Sequence, residues 1–303
     1  MTSGKAKKLF SWLGGHLHMG MALPAFLLFF IFVLLPLLFS VFFSFTSWNG
    51  LGKTSFIGFD NFISFFQDDR AQNAVLNSLL FALCSVPLLN ILGLSYALLL
   101  DKVNPISKIV KAIVYIPAVI SPLIMGYVWL LILKDNYGVV FSLFSFFGTG
   151  DNYVNLLGDK NLAMGVIIIV NAFQYVGLTM TIYSAGLQDI PQELYESAAI
   201  DGANAFQKFN HITLPMLGPS IMINIITNII GSLAVFDLIV SLTGGGPAYH
   251  TESLSLYIYR LAYGGRSGYA SALSVMMFFI ILIPVVLSYL AMRKSNLYLN
   301  EDK

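Results

Sequence analysis

Amide, hydroxyl and phenol groups recur at helical spacing in two otherwise apolar stretches of the sequence. The first set is Asn171, Gln174 and Tyr175, at i, i+3 and i+4, and the second is Asn224, Asn228 and Ser232, at i, i+4 and i+8. Each set shares one face of a helix. Such groups can bind a polar solute through hydrogen bonds and ring stacking, or they can hydrogen-bond to neighbouring helices and hold a bundle together. The residues alone leave both interpretations open.

Several other chemistries lack the residues they need. The histidines lie outside the apolar stretches and form no metal-binding set: His16, His18, His211 and His250. The one cysteine, Cys84, excludes a disulfide framework and a cysteine-based metal site, and its apolar surroundings predict a small buried hydrophobe. The nucleotide-binding pattern Gly-x-x-x-x-Gly-Lys-Ser/Thr does not occur in the sequence. We predict no catalytic residue, no metal site and no cofactor in this chain.

A polar segment, Gln188–Pro215, separates two of the apolar stretches. Asp189 and Gln192 have the spacing of a capping box, with Pro191 in the first turn, so we expect a helix to begin there. The small side chains of Ser197–Ala199 let another surface approach that helix closely.

Gly202 then permits a turn that other residues would resist. An apolar stripe follows at i, i+3 and i+6, formed by Phe206, Phe209 and Ile212, and it predicts a second short helix that Pro215 ends. Two such helices either dock into a partner or pack on the rest of the chain, and the physical pattern favours neither.

The composition shows what must position these residues. The chain has 303 residues, of which 57% are hydrophobic and 10% charged, with a mean hydropathy of +0.79. Soluble domains carry about 25% charged residues, and a bilayer core needs about 20 apolar residues in a helix. Six stretches qualify, and none contains a charged residue or a histidine: Met21–Thr46, Ala74–Leu100, Ala112–Leu133, Leu162–Leu187, Met216–Phe236 and Gly268–Met292. We predict an all-α, polytopic membrane protein with six transmembrane helices.

The same stretches argue against other membrane functions. An ion-coupled secondary transporter usually places ionisable residues within the membrane, and an intramembrane enzyme needs His, Asp or Glu at that depth. Nucleic acid is excluded as a partner because a net charge of +1 provides no basic surface.

Six spans put both termini on one side of the membrane. With the termini inside, the inner segments hold ten of the 16 lysines and arginines, which predicts cytoplasmic termini.

Within the polar segment, Glu196-Ser197-Ala198, Gly202 and Ile212-x-Leu214-Pro215 resemble the EAA motif of ABC importer permeases. That motif is Glu-Ala-Ala, three residues, Gly, nine residues and Ile-x-Leu-Pro, and every spacing fits. Ser197 departs from the second-position alanine but is also small. The extended form, Tyr195–Ala203, resembles the maltose-type sugar permeases. Further blocks are similar to the region before their last helix: Phe236–Leu238, Thr243–Pro247, Glu252–Tyr257 and Gly268–Ala272.

The resemblance implies the ABC type I importer (MetI-like) permease fold and a coupling loop over residues 188–215 that docks on an ATPase subunit. The residues it assigns to coupling are Glu196, Ser197, Ala198, Asp201, Gly202, Ala203, Phe206, Phe209, Ile212, Leu214 and Pro215. It also favours the helices on either side of this loop, which carry the two polar faces, as the substrate-binding region.

Partners follow from the same resemblance. We expect a second, homologous permease subunit, an ATPase dimer that holds ATP and magnesium, and an extracytoplasmic sugar-binding protein, all at a bacterial cytoplasmic membrane. The transported solute is expected to be a carbohydrate, and an uncharged oligosaccharide suits the amide-rich faces. A polyol or glycerol phosphate remains the alternative.

The whole chain is therefore divided as one membrane protein with short tails. The predicted parts are a cytoplasmic N-terminal tail or interfacial helix (1–20), a first transmembrane helix with its external loop (21–73), a core permease domain (74–292) and a cytoplasmic tail (293–303).

Overall fold

The computed structural model describes residues 23–52, 54–101, 104–135, 137–147 and 155–294. The predictions for the N-terminal tail, 1–20, and for the last nine residues lie outside this range. Regular structure within it is helical, apart from one isolated antiparallel bridge between Thr46 and Phe56. The all-α class predicted from the apolar stretches is confirmed.

The helices are numbered in chain order. They are α1 (Leu23–Ser44), α2 (Asp60–Phe65), α3 (Asp69–Leu99), α4 (Pro105–Val119), α5 (Pro122–Leu133), α6 (Val139–Phe146), α7 (Ala163–Gln188), α8 (Gln192–Ile200), α9 (Ala205–Met216), α10 (Gly218–Leu233), α11 (Asp237–Leu242), α12 (Leu254–Tyr263) and α13 (Ser267–Lys294).

Four of these helices, α1, α3, α7 and α13, are long and apolar enough to cross a membrane. Two further pairs pass the same test only together. The pair α4 and α5 is bent by 98°, and the pair α9 and α10 is bent by 65°. If each bent pair is one span, the described residues contain the six predicted spans. The third of these, Ala112–Leu133, is broken instead of continuous, whereas the fifth, Met216–Phe236, contains the uninterrupted helix α10 and has the bend at its start.

Prolines explain the break between α4 and α5. Pro122 has no backbone N–H, and it disfavours helical geometry in the residue before it. Ser121 accordingly has a ψ of 135°, and Ile120 has a ψ of 137°. Both residues are extended, so the chain turns sharply before Pro122 starts the next helix.

One compact unit comprises Met1–Ser64 and Leu261–Val275. Its described part is organised around the end of α1. The Asn61 side chain donates to the backbone oxygens of Ser44 and Thr46, at 2.8 and 2.9 Å, and so satisfies carbonyls that the helix end leaves open. The rings of Phe43 and Trp48 stack with their centroids 4.0 Å apart.

The second compact unit comprises Phe65–Arg260 and Met276–Lys303. Helix α7 lies among α3, α4 and α10 in this unit. A Cβ added at Gly177 would lie 2.4 Å from the Val114 oxygen of α4, and one at Gly93 of α3 would lie 2.5 Å from the Thr179 methyl group. Glycine is therefore required where these helices cross α7. Buried apolar side chains fill the rest of the unit, among them Phe81, Ile167 and Leu238.

Cys84 corrects an expectation about burial. The residue is exposed on α3, not buried as its apolar surroundings predicted. In a membrane-spanning helix, apolar neighbours in the sequence do not distinguish a residue on an inward face from one that faces lipid, because both faces are apolar.

Candidate functional site

A cavity of about 440 Å³ lies between α7 and α10 in the second compact unit. Five of the six residues predicted to contact substrate line it, namely Asn171, Tyr175, Asn224, Asn228 and Ser232. The two polar faces read from the sequence thus face each other across one space. The helical spacing of the amides was a sufficient signal for this part of the site.

Gln174 is placed outside the cavity, which corrects the prediction that it contacts substrate. Its side chain is fully buried, and its amide nitrogen donates to the backbone oxygen of Ile120 at 3.0 Å. Ile120 belongs to the break between α4 and α5, where the helical hydrogen-bond pattern is interrupted. Gln174 therefore satisfies a backbone oxygen that would otherwise be left open in an apolar setting.

The cavity amides also bridge helices. Asn224 donates to the Thr179 backbone oxygen, and Asn228 donates to the Thr179 hydroxyl, each at 3.3 Å. The Asn224 side-chain oxygen is buried and has no hydrogen-bond partner among the described residues. The nitrogen atoms of both amides thus hold α7 to α10, which is one of the two roles that the sequence left open.

Two polar residues that line the cavity, Thr179 and Thr227, were not predicted from the sequence, and Asp237 of the Phe236–Leu238 block lines it as well. Thr179 lies eight residues after Asn171, close to two helical turns, so extending the helical spacing would have found it. Asp237 is exposed at the first position of α11. Among the described lining residues it supplies the one formal charge, and no lysine or arginine lines this space.

The segment 188–215 contains two helices joined by a glycine turn, as expected. Helix α8 begins at Gln192 with Pro191 before it and has no side-chain cap, so the predicted capping box at Asp189 is wrong. Asp189 instead follows the end of α7. Gly202 has a φ of +78°, which favours glycine. A capping box occurs instead after the glycine turn, at the start of α9. There the Asn204 N–H donates to the Gln207 side-chain oxygen at 2.8 Å, and the Gln207 N–H donates to the Asn204 side-chain oxygen at 2.9 Å.

Helix α9 passes through Pro215 and ends one residue later, at Met216. A π-helical turn at Phe209–Thr213 precedes the proline. Proline cannot donate to the carbonyl four residues back, and its ring clashes with that carbonyl in a regular α-helix. A widened turn with i→i+5 bonds accommodates both restrictions, so Pro215 reshapes the helix instead of ending it.

The eleven predicted coupling residues separate into exposed and partly buried positions. Glu196, Ser197, Asp201, Gly202 and Phe206 are exposed, and Ala198, Ala203, Phe209, Ile212, Leu214 and Pro215 are partly buried. Ile200 is 87% exposed and Phe206 is 72% exposed, so apolar side chains stand out on both sides of the glycine turn.

The other side of the segment is fixed to the bundle. The Tyr195 and Thr213 hydroxyls are 2.8 Å apart, which joins α8 to α9. Tyr195, Ile212 and Met216 pack against the buried core that contains Leu187 and Leu217.

A charged cluster that the sequence did not predict lies in the same compact unit. Glu252 is 1% exposed and accepts two hydrogen bonds from Arg70, at 2.7 and 2.8 Å. Arg260 also pairs with Glu252 and donates to the Gly244 oxygen at 2.5 Å. The Arg70 guanidinium lies 3.7 Å from the centre of the Tyr249 ring. A buried carboxylate costs free energy unless it is paired, and here two guanidinium groups meet it.

This cluster is connected to the end of the cavity by hydrogen bonds. The Ser253 hydroxyl donates to the Val235 oxygen at 2.8 Å, and the Leu254 N–H donates to the Ser78 hydroxyl at 2.9 Å. Val235 lines the cavity. The residues around Glu252 thus hold the start of α3, the loop before α12 and the cavity end in one arrangement.

Among the described residues, no three His, Cys, Asp or Glu side chains form a group that could hold a metal ion.

The family model described as "Binding-protein-dependent transport system inner membrane component" matches residues 89–296. The chain is 30% identical over 274 residues to the probable starch degradation products transport system permease protein of Thermoanaerobacterium thermosulfurigenes, covering 90% of this chain and 92% of that protein. It is 34% identical over 263 residues to the trehalose/maltose transport system permease protein of Thermococcus litoralis, covering 86% and 88%.

A solved structure has a similar fold. A chain of a bacterial ABC transporter involved in the import of the acidic polysaccharide alginate superposes with a TM-score of 0.82 at 28% identity, covering 95% of this chain and 99% of that one. A second structure of a bacterial alginate ABC transporter, in complex with an alginate pentasaccharide-bound periplasmic protein, gives a TM-score of 0.81, also at 28% identity, over 92% of this chain and 95% of that one.

The buried cluster yields a prediction about stability. Glu252→Gln leaves two guanidinium groups without their carboxylate and should lower the free energy of unfolding by about 3 kcal/mol, the lower end for a buried pair because both arginines are about one-third exposed. The measurement is the midpoint temperature of thermal unfolding of the detergent-solubilised protein, monitored by size-exclusion chromatography of heated samples, and this midpoint should fall. The matched control is Glu193→Gln, which removes an exposed carboxylate on α8 and should leave the midpoint nearly unchanged. Equal midpoints for Glu252→Gln and wild type would contradict this role.

Proposed function

Because the chain belongs to the family of binding-protein-dependent transport system inner membrane components, we propose that it is the permease subunit of an ATP-driven importer for a neutral oligosaccharide. The observation that carries the proposal is the cavity between α7 and α10. It combines amides, hydroxyls and a phenol ring, and the described lining residues include no lysine or arginine.

The chemistry of the cavity suits a sugar without charge. Asn171 and Asn228 offer amide groups to hydroxyls, and Tyr175 offers a ring face to a pyranose. A volume of about 440 Å³ lies within the usual range for small-molecule sites. An anionic solute would call for a guanidinium or ammonium group, whereas Asp237 would repel it.

The names of the relatives support a carbohydrate. Two of them are described as permeases for starch degradation products and for trehalose and maltose. The alginate transporter with a similar fold is described as importing an acidic polysaccharide. For the present chain we propose a neutral sugar instead, because the carboxylate of Asp237 lines its cavity.

A transport assay tests the proposed substrate class. The complete transporter, with partner permease, ATPase and binding protein, is reconstituted in liposomes and supplied with labelled maltotriose, trehalose, lactose, alginate trisaccharide, glycerol or glycerol phosphate. We expect ATP-dependent uptake of at least one of the three neutral sugars. Uptake of alginate trisaccharide or glycerol phosphate should be slower than this by a factor of about ten or more. Faster uptake of an anionic solute, or of glycerol alone, would contradict the proposal and favour the alternative classes.

The segment 188–215 is proposed to couple this cavity to ATP hydrolysis. The sequence contains no nucleotide-binding pattern of its own, so the energy comes from a separate ATPase dimer that carries ATP and magnesium. The exposed side chains of Ile200 and Phe206 offer apolar surface for docking, and Glu196 beside them offers a carboxylate to a basic residue of the ATPase.

The packing supports a rigid transmission. The bond between Tyr195 and Thr213 ties α8 to α9, and α9 leads through a single residue, Leu217, into the cavity helix α10. Leu217 is fully buried. A displacement of the docked helices would therefore pass into the helix that carries Asn224 and Asn228.

The remaining partners complete the proposal. A second, homologous permease supplies the other half of the membrane channel, and an extracytoplasmic sugar-binding protein delivers the solute. In this arrangement segment 188–215 and both termini lie in the cytoplasm of a bacterial cell, in agreement with the distribution of lysine and arginine.

Gly202 gives a test of coupling. Its positive φ is unfavourable for most residues with a side chain, and nothing lies within 4 Å of the position where a Cβ would be. A substitution therefore alters the turn and the docking surface and causes no clash within the chain. In the assembled complex, Gly202→Leu should lower uptake about tenfold or more while ATP hydrolysis continues. Asparagine tolerates positive φ, so Gly202→Asn is the matched control and should retain more uptake. An assembled Gly202→Leu complex with wild-type uptake would contradict the coupling role.

A further inference from the structure

The short helix α2 is held against the end of the membrane-spanning helix α1. The bonds from the Asn61 side chain to the Ser44 and Thr46 oxygens join the two helices directly. The Phe62 ring lies 5.4 Å from the ring of Phe45, measured between centroids. Asn61 is 8% exposed, so this side of α2 is buried. Helix α2 therefore lies within hydrogen-bond distance of the point where α1 ends.

The connection from α1 to α2 is fixed as well. After α1 the chain turns back, and the Ser47 N–H donates to the Ser55 oxygen at 3.0 Å. The Ile57 N–H donates to the Phe45 oxygen at 2.9 Å. Because these bonds keep the returning chain beside the residues that follow α1, the depth of α2 in a bilayer follows from the depth of the α1 end.

The length and sequence of α1 give that depth. Its 22 described residues extend about 33 Å, and the hydrocarbon core of a bilayer is about 30 Å thick. The apolar stretch ends at Thr46, and Trp48 follows it, stacked on Phe43. Tryptophan is enriched at membrane surfaces. The end of α1 therefore lies at the boundary between acyl chains and headgroups, and α2 lies at the same level.

An apolar side of α2 is exposed at this level. Phe59, directly before the helix, is 67% exposed, and Ile63, four residues later on the same side, is 55% exposed. Phe56 is 77% exposed. The rings of Phe56 and Phe59 lie 6.5 and 5.3 Å from the ring of Phe45, so their side chains belong to one surface. An apolar surface of this kind marks a contact with another protein or with the membrane.

A polar side of α2 is separate from the apolar one. Asp60 is exposed, and the Ser64 hydroxyl donates to the Asp60 backbone oxygen at 2.8 Å. With 3.6 residues per turn, this polar side and the apolar side are about 100° apart around the helix axis. The third side, which carries Asn61, faces the end of α1. Three such sides fit a helix that lies in the plane of the membrane surface.

We propose that α2 is an interfacial anchor whose apolar side contacts lipid. Phe56, Phe59 and Ile63 insert among the acyl chains of the adjacent leaflet, and Asp60 stays among the headgroups. Lipid is the occupant because the surface lies at the membrane boundary, next to a last turn of α1 that is itself apolar and exposed, with Phe42 58% exposed. Helix α2 contains no lysine or arginine, so the contact depends on apolar burial and not on anionic headgroups. The proposal is independent of the transported solute.

Spin labels measure the depth of α2 in the membrane. The complete transporter, with partner permease and ATPase, is reconstituted in liposomes, and Cys84→Ser removes the one cysteine of the chain. Ile63→Cys and, as the matched control, Asp60→Cys each carry one nitroxide, on the apolar and the polar side of α2. Electron paramagnetic resonance with power saturation gives the collision rates of each label with oxygen, which concentrates among acyl chains, and with a water-soluble nickel chelate.

We expect the ratio of oxygen to nickel collision rates at position 63 to exceed the ratio at position 60 by about threefold or more. Phe59→Cys, a second label on the apolar side, should behave like Ile63→Cys. Equal ratios at positions 60 and 63 would place the apolar side in water and overturn the anchor.

Two further outcomes would assign the apolar side to a protein contact and overturn the proposal. In one, neither oxygen nor nickel reaches the label at position 63. In the other, size-exclusion chromatography shows that the complex assembles with the label at position 60 but not with a label at position 63 or 59.

Discussion

Direct backbone contact at the crossings of α7 is the constraint on which the second compact unit depends. Lipid tails are as apolar as leucine side chains, so helices in a membrane gain little from burying apolar surface against one another and rely on close packing. Gly177 lets α4 touch α7, and Gly93 lets α3 do the same. Gly186 approaches Leu217 and Ser220 near the break between α9 and α10. One wall of the cavity lies on the helix that these contacts hold, and segment 188–215 begins at its end.

Polar side chains in such a bundle can satisfy backbone groups that the helices leave open. The two bent helix pairs interrupt backbone hydrogen bonding, and Gln174 satisfies one of the resulting oxygens. Charge is concentrated around Glu252, where two arginines compensate a buried carboxylate next to the cavity end. In the proposed mechanism, the Glu252 cluster holds one end of the cavity and segment 188–215 acts on the other end through α10.

The sequence predicted the features that repeat along one helix. Apolar runs of about 20 residues located the spans, and the spacing of Asn171 and Tyr175, and of Asn224 and Asn228, located the cavity. The positive φ at Gly202 followed from residue type. Each of these depends on local periodicity or on the conformational preference of one residue, which a single sequence contains.

Features that depend on distant pairs were not predictable from one sequence. Arg70 and Glu252 are 182 residues apart, and nothing in their local surroundings indicates that they pair. Gln174 has the spacing of a cavity residue, but the break at Ile120 turns its role into a backbone contact. Cys84 lies in an apolar run that gives the same pattern for a lipid-facing position as for a buried one. Tertiary contacts decide such cases.

The most direct test of the central claim is a photocrosslink from the coupling segment. In cells that contain the complete transporter, p-benzoylphenylalanine replaces Phe206, and after irradiation the adducts are identified by mass spectrometry. Phe32 on α1 has the same exposed fraction, 72%, and serves as the control position. If segment 188–215 has the proposed coupling role, we expect an adduct with the ATPase subunit from position 206 and none from position 32. Adducts from position 206 that contain only membrane subunits or lipid would contradict it.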